Sequence, residues 1–287
     1  MPEYRKIGFI GAGNMAEAII GAILNSRLRQ PHEIIISDAS AARREEISEK
    51  YDVVSAASNF KAAEACDIII LAVKPQIMDA VLTELADQGC FKIKSHRRLF
   101  ISIAAGIKLS SLEQIIYANC TDREKSAMPI IRVMPNTPAL VGAGMSGMCA
   151  NSQALHKDIQ HAAALLSSMG EVLIFDEDKM DAVTAVSGSG PAYGFYLLEA
   201  MIEAGRELGL KSEDASKLAQ GAISGALALL KHVNEDAGTL RSKVTSPGGT
   251  TEAAIKVLEA HHVKDRIVEA VLAAARRSRE LSLHKDA

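Results

Sequence analysis

Two glycine-containing turns hold the residue types that could do chemistry in this chain of 287 residues. The first is Gly11-Ala12-Gly13-Asn14-Met15-Ala16, set between an apolar run (Ile7, Phe9, Ile10) and a helix-forming stretch. Its small residues fit a dinucleotide-binding turn. Gly11 permits a tight reversal, Gly13 lets the backbone approach a pyrophosphate, and Ala16 lets the helix lie close on the strand. The helix start adds free N–H groups and a partial positive charge. A purely structural turn is the alternative; the strand before it and the helix after it favour a cofactor site. The second turn is Ser246-Pro247-Gly248-Gly249-Thr250-Thr251-Glu252, also opening a helix. Helix capping needs one hydroxyl. Three hydroxyls around a Gly-Gly pair suit a small anion such as a substrate carboxylate. Ser187-Gly188-Ser189-Gly190-Pro191-Ala192-Tyr193 reads as another donor-rich turn before a helix.

The reaction class follows from what these turns lack. No Lys, His or Glu lies in the first turn of the helix after Gly190. Ketone reduction produces an alkoxide and usually needs such an acid. A protonated imine is already electrophilic, and a hydroxyl such as that of Thr251 suffices beside it. No histidine spacing suggests a metal, and none is expected; His261-His262 reads as a solvated turn between helices.

The elements that must position these turns alternate in type. Ile7–Ile10, Ile34–Ile36, Val53-Val54, Asp67–Val73, Leu99–Ile103 and Ile130–Met134 read as strands, and so does Glu171–Phe175. Helices are expected over Asn14–Asn25, Ser40–Tyr51 and His156–Met169. Uninterrupted apolar strands alternating with helices imply a doubly wound parallel sheet. Ligands bind such sheets at the strand C-termini. Ser37-Asp38, Ala72-Val73-Lys74-Pro75 and Ala104-Ala105-Gly106 fall there, and each is a cofactor-side candidate. Asp38 could grip the ribose 2′-hydroxyl of NAD. Ser37, Ser40 and Arg43-Arg44 could serve the 2′-phosphate of NADP, or Arg43-Arg44 could be the exposed face of a charged helix.

Past Asp176-Glu177-Asp178 the strand signals stop. Residues 1–178 are read as a dinucleotide-binding domain and 179–287 as an all-α domain. Its helices are Ala192–Leu208, Glu213–His232, one from near Thr251, and Val263–Leu283. The second is apolar on several faces and must be buried all round. So small a domain can hardly surround it, and a second subunit is expected to supply part of the cover.

Composition bounds the rest. A net charge of −3 gives no reason to expect nucleic acid or an anionic membrane surface as partner. No apolar run is long enough to span a membrane, and the N-terminus lacks the basic and apolar regions of a signal peptide. Cys66, Cys90, Cys120 and Cys149 are far apart and read as reduced, mostly buried thiols of a cytoplasmic protein.

The chain resembles the pyrroline-5-carboxylate reductases over nearly its whole length. The resemblance rests on Ile7–Met15, Ala72–Pro75, Ser102–Gly106 and Met134-Pro135-Asn136-Thr137-Pro138, then on Ser187–Tyr193 and Ser246–Thr251. It implies hydride transfer from NAD(P)H to the imine of L-1-pyrroline-5-carboxylate, giving L-proline. It also implies an N-terminal Rossmann domain joined to a helical dimerisation domain, with dimers often assembling into decamers. By motif position, Thr251 would hydrogen-bond the ring nitrogen, and Ser246, Gly249 and Thr250 would hold the carboxylate. Asn59 would lie at the adenosine side of the cofactor and Ser37 in its ribose-phosphate loop. The glycine turn (Gly11, Ala12, Gly13, Asn14, Met15) and the strand-end turns (Ala72, Val73, Lys74, Pro75, Ala104, Gly106) would complete the cofactor site. The family often favours NADPH and many members accept NADH; Asp38 departs from a plain NADP loop. β-Hydroxyacid dehydrogenases share the first turn but carry a catalytic lysine absent between Gly190 and Arg206. A non-catalytic NAD(P) sensor would be expected to lose the Ser246–Thr251 turn, which is intact.

Overall fold

A computed structural model of the chain describes residues 4–92 and 97–283. It divides into two compact units. One runs to Ser189 and takes in the chain from Ala274 onward; the other is Gly190–Ala273.

The first unit opens with β1 (Ile7–Ile10), α1 (Asn14–Asn25), β2 (Ile34–Ser37), α2 (Ala41–Tyr51), β3 (Val54–Ser55) and α3 (Asn59–Glu64). It continues with β4 (Ile68–Leu71), α4 (Met78–Asp87), β5 (Leu99–Ser102), α5 (Leu109–Ile116) and α6 (Asp122–Ser126). Then come β6 (Ile130–Met134), β7 (Gly144–Ala150), α7 (His156–Ser167), β8 (Gly170–Ile174) and α8 (Met180–Val183). The eight strands form one sheet in the order β3-β2-β1-β4-β5-β6-β7-β8. All pairs are parallel except β6 with β7, so the doubly wound arrangement stands over β1–β6, and β7 and β8 both run opposite to it at one edge. The sequence reading passed over β7. Its two glycines weaken any strand signal, yet a side chain at Gly147 would come within 2.4 Å of Val183 Cγ1. The glycine is there because α8 lies close on the strand.

The central strands bury both faces, which is why they read as unbroken apolar runs. Strand alternation splits the core in two. Phe9, Ile36, Ile68 and Ile101 pack under α1 and α7 through Ile19, Ile23 and Leu165. Ile10, Ile69, Leu71 and Phe100 pack under α4 and α5 through Leu82, Leu85 and Leu112. One buried polar cluster ties the N-terminus to α7. The carboxylate of Asp158, fully buried, accepts from the Tyr4 hydroxyl at 2.6 Å, Arg97 Nη2 at 2.6 Å and Leu155 N–H at 2.7 Å. Burial pushes its pKa up, but the hydrogen bonds from Arg97, Tyr4 and Leu155 outweigh burial and hold the carboxyl below its ordinary value.

The second unit contains α9 (Gly190–Glu207), α10 (Ser212–His232), α11 (Ala237–Lys243), α12 (Thr250–Ala260) and the start of α13 (Val263–Leu283). Gly205 lets α9 and α10 meet; a Cβ there would lie 2.8 Å from that of Ala215. Only Ala215 and Ala219 of α10 are buried, while Leu218 is 62% and Leu227 55% exposed. On α9, Phe195 and Tyr196 are also exposed. One chain therefore leaves large apolar faces uncovered, as the all-round apolar pattern of α10 anticipates. Among the described residues no helix is long and apolar enough to cross a membrane. All four cysteines are free; Cys66, Cys90 and Cys149 are buried and Cys120 half-buried. Burial pushes the Cys66 and Cys149 thiols up to about 12.

Candidate active site

The glycine turn lies between β1 and α1, at the C-terminal edge of the sheet. Gly11 has φ +97°, and a Cβ on it would sit 2.8 Å from the Ala72 carbonyl oxygen. Both facts demand glycine. Its N–H donates to Ser37 O at 2.8 Å, and Ala72 N–H donates to Ile10 O at 2.9 Å. The turn is thus bonded to the ends of β2 and β4, and Ala72, Val73, Lys74 and Pro75 flank it. Gly13 forms the N-cap of α1 with no side-chain cap. Nothing lies within 4 Å of the place its Cβ would take. The arrangement leaves open room above a helix N-terminus, which suits a pyrophosphate; Asn14 and Met15 are the first residues of that helix.

Ala12 is held from both sides. Asp38 Oδ2 accepts its N–H at 2.8 Å, and Arg43 Nε donates to its carbonyl at 2.7 Å. The other Asp38 oxygen accepts Ser40 N–H at 2.9 Å. Arg43 also pairs with Glu17 and, at 2.8 Å, with Glu46. Hydrogen bonding from Lys50, then from Arg43, holds the Glu17 carboxyl below its ordinary value despite burial. Beside the two roles raised for Arg43, the structure shows a third: its guanidinium braces the glycine turn. Arg44 is placed differently. Its Nη1 donates to Asp38 O at 2.5 Å, which sets a half-buried cation on the loop after β2.

Ser37 is buried, and its hydroxyl lies 2.9 Å from Asn59 Oδ1 and 3.2 Å from Phe9 O. Asn59 begins α3, and its amide nitrogen reaches Glu84 Oε2 at 3.4 Å. The structure brings Ser37 and Asn59 together as a bonded pair. Ala104 and Gly106 follow β5. Ala104 is buried, and Gly106, at φ +74°, is backed by Leu281 Cβ, 3.3 Å from where its own Cβ would stand.

The second set of candidates lies in the other unit. Gly249 is the N-cap of α12, and no side chain caps that helix. Among the described residues no hydrogen-bond partner is found for the hydroxyls of Ser246, Thr250 or Thr251, and the N-cap position itself carries no side chain. The turn is closed by Gly249 N–H to Ser246 O at 3.0 Å. Glu252 Oε2 accepts Gly248 N–H at 2.9 Å, and Lys256 partners that carboxylate at 3.3 Å. Ser246 and Thr250 are exposed and Thr251 half-buried. Hydroxyls clustered at a helix start are chemically able to receive a small anion.

The Ser187–Tyr193 expectation needs correction. Ser189 N–H donates to Thr184 O at 2.8 Å, so Thr184–Gly188 is a wide helical turn continuing α8 rather than an open loop. Ser187 faces inward to Asn136, which the sequence reading gave no side-chain role. Its signal was slight: one amide between Pro135 and Thr137-Pro138.

The sheet, the glycine turn and the helical unit define the class: a dinucleotide-dependent oxidoreductase with a helical second unit. Residues 6–106 match the family described as NADP oxidoreductase, coenzyme F420-dependent, and residues 177–281 match pyrroline-5-carboxylate reductase dimerisation. A pyrroline-5-carboxylate reductase of Synechocystis is 41% identical over 96% of this chain and 98% of its own. One from Arabidopsis thaliana is 38% identical over 98% and 96%. The solved pyrroline-5-carboxylate reductase of Coxiella burnetii superposes with a TM-score of 0.85 at 35% identity, covering 97% of this chain and 98% of that one. The Plasmodium falciparum pyrroline carboxylate reductase, solved with NADP bound, gives 0.85 at 30% identity, covering 98% and 99%. The chain belongs to the pyrroline-5-carboxylate reductase family.

Proposed function

We propose that this chain reduces L-1-pyrroline-5-carboxylate to L-proline, the last step of proline biosynthesis. The observation that carries the reading is the uncapped start of α12 with its uncommitted hydroxyls. Ser246, Gly249 and Thr250 hold the substrate carboxylate there, and the helix dipole favours its charge. Thr251 hydrogen-bonds the ring nitrogen and so orients the C=N bond without needing a strong acid.

Gly11, Ala12, Gly13, Asn14 and Met15 hold the cofactor pyrophosphate. Ala72, Val73, Lys74, Pro75, Ala104 and Gly106 line the strand ends beside it, and Ser37 with Asn59 shapes the adenosine side. When bound, the cofactor supplies the hydride. NADPH is the cofactor assigned, with NADH as a weaker substitute. Both Asp38 oxygens accept backbone N–H groups, which leaves Arg44 as the charged group for a 2′-phosphate. The relative from Plasmodium falciparum solved with NADP supports the same choice.

The apolar faces of α9 and α10 support a homodimer built through residues 179–287, and dimers of this kind assemble further to a decamer. Four free thiols fit a cytoplasmic working place. Neither nucleic acid nor a membrane is a partner. Steady-state kinetics with L-1-pyrroline-5-carboxylate and both cofactors test the proposal. Substrate-dependent NADPH oxidation is the expected result; its absence where a known reductase turns over rejects it.

A further inference from the structure

Asn136 has no part in the site described above, yet it is buried at the C-terminal edge of the sheet, where doubly wound proteins bind their ligands. Its side chain joins three segments. Oδ1 accepts Met145 N–H at 2.9 Å from β7. Nδ2 donates to Ser187 O at 3.2 Å and approaches Ser187 Oγ at 3.4 Å. Ser187 Oγ in turn donates to Met145 O at 3.3 Å, which closes a ring. The amide can point only one way, because an N–H must meet an oxygen and a carbonyl must meet a donor.

The Ser187 carbonyl needs this partner. In an α-helix it would accept from the residue four positions on, which is Pro191 and has no N–H. The turn around it is the wide one closed by Ser189 N–H on Thr184 O at 2.8 Å. Wide turns of this kind are rare and concentrate at functional positions. It also rests on the end of β6: a Cβ on Gly188 would lie 2.4 Å from Met134 Cε. Directly after this turn the chain leaves the first unit and begins α9.

We propose that Asn136 is a positioning residue for the imine. It supplies the donor that Pro191 withholds, fixes the wide turn on the sheet edge, and so fixes the start of α9. This rests on the reductase reading. Hydride transfer tolerates little misplacement, and an error near 1 Å costs on the order of a hundredfold.

The test uses the full chain with Asn136→Ala, Asn136→Asp and Ser187→Ala. Asn136→Asp keeps the size and the acceptor for Met145 but sets an oxygen against the Ser187 carbonyl, so it carries the test if Asn136→Ala does not fold. Both Asn136 variants should lose about tenfold or more in kcat/KM for the imine, while NADPH affinity by fluorescence titration stays within about twofold. Ser187→Ala, which keeps the carbonyl, should behave like wild type. Hydrogen exchange at 184–192 should accelerate in Asn136→Ala while 7–16 is unchanged. Imine kcat/KM within about twofold of wild type, NADPH affinity falling in parallel with kcat/KM, or unchanged exchange at 184–192 overturns the proposal. A wild-type chain that leaves the imine unreduced, with exchange altered as expected, overturns the reductase reading instead.

Discussion

Thr251 is the second residue of α12, where a hydroxyl gains most from the helix N-terminus. Thr251→Ala should lower kcat by roughly a hundredfold to a thousandfold, as loss of one donor to a reacting group does, with NADPH affinity unchanged. Thr251→Ser should recover most of the rate; an alanine variant as fast as wild type removes Thr251 from the chemistry. Asp38 carries the opposite expectation to the one its position alone suggests. Its carboxylate holds Ala12 N–H and Ser40 N–H, so Asp38→Ala should weaken both cofactors together. The ratio of kcat/KM for NADPH and NADH is the measurement, and a shift toward NADPH restores Asp38 as a ribose ligand. Arg44→Ala should cut NADPH use about tenfold, the value of one charge-assisted contact, and barely change NADH use. At this scale the sequence displayed which residues could act but not which were already engaged. The bonds of Ser37 to Asn59, of Asp38 to Ala12 and of Arg43 to Glu17 could not be read from the sequence because they join residues far apart in the chain. The Ser246–Thr251 turn could be read as a turn opening a helix because its bonds are local, as Gly249 N–H to Ser246 O shows.

The strands and the longer helices were readable because a buried parallel strand needs an apolar run and little else, as Ile34–Ser37 and Ile68–Leu71 show. β7 was not, since its fitness lies in what Gly147 allows Val183 to do. α3 and α11 are short helices that depend on caps at Ser58 and Asp236 more than on any periodic pattern. The buried cluster on α7 leads to a pH prediction. The Asp158 carboxyl is held below its ordinary value in the fold. Its contribution is therefore complete above the unfolded value near 3.9 and lost as pH falls through the lower folded one. Thermal denaturation should show a Tm independent of this group between about pH 5 and 7 and a decline below about pH 4. Asp158→Asn should cost about 3–5 kcal/mol by leaving the Arg97 guanidinium without its counter-charge and should flatten that acid limb. An equally steep limb in the variant would assign the acid sensitivity elsewhere.

A single chain has a mass of 30.6 kDa, and light scattering at micromolar concentration should report at least twice that. A one-chain mass would reject the dimer. Leu227→Glu, which sets a charge on the exposed apolar face of α10, should shift the population toward single chains and reduce imine turnover with it. The uncovered apolar face of α10 was legible, since an all-round apolar helix announces missing cover without saying what supplies it. One further property of the molecule concerns its synthesis. Ser278 Oγ on α13 donates to Asp181 Oδ1 at 2.7 Å, across a separation of 97 residues, and Leu281 backs Gly106. The helical unit is thus a long insertion in the middle of the first unit rather than an appendage after it. On the ribosome the sheet can form early, but the loop at Gly106 waits for Leu281 to emerge, roughly 5–20 s after Asp181 at ordinary elongation rates. Nascent chains of graded length should therefore acquire sheet structure well before they acquire full affinity for NADPH.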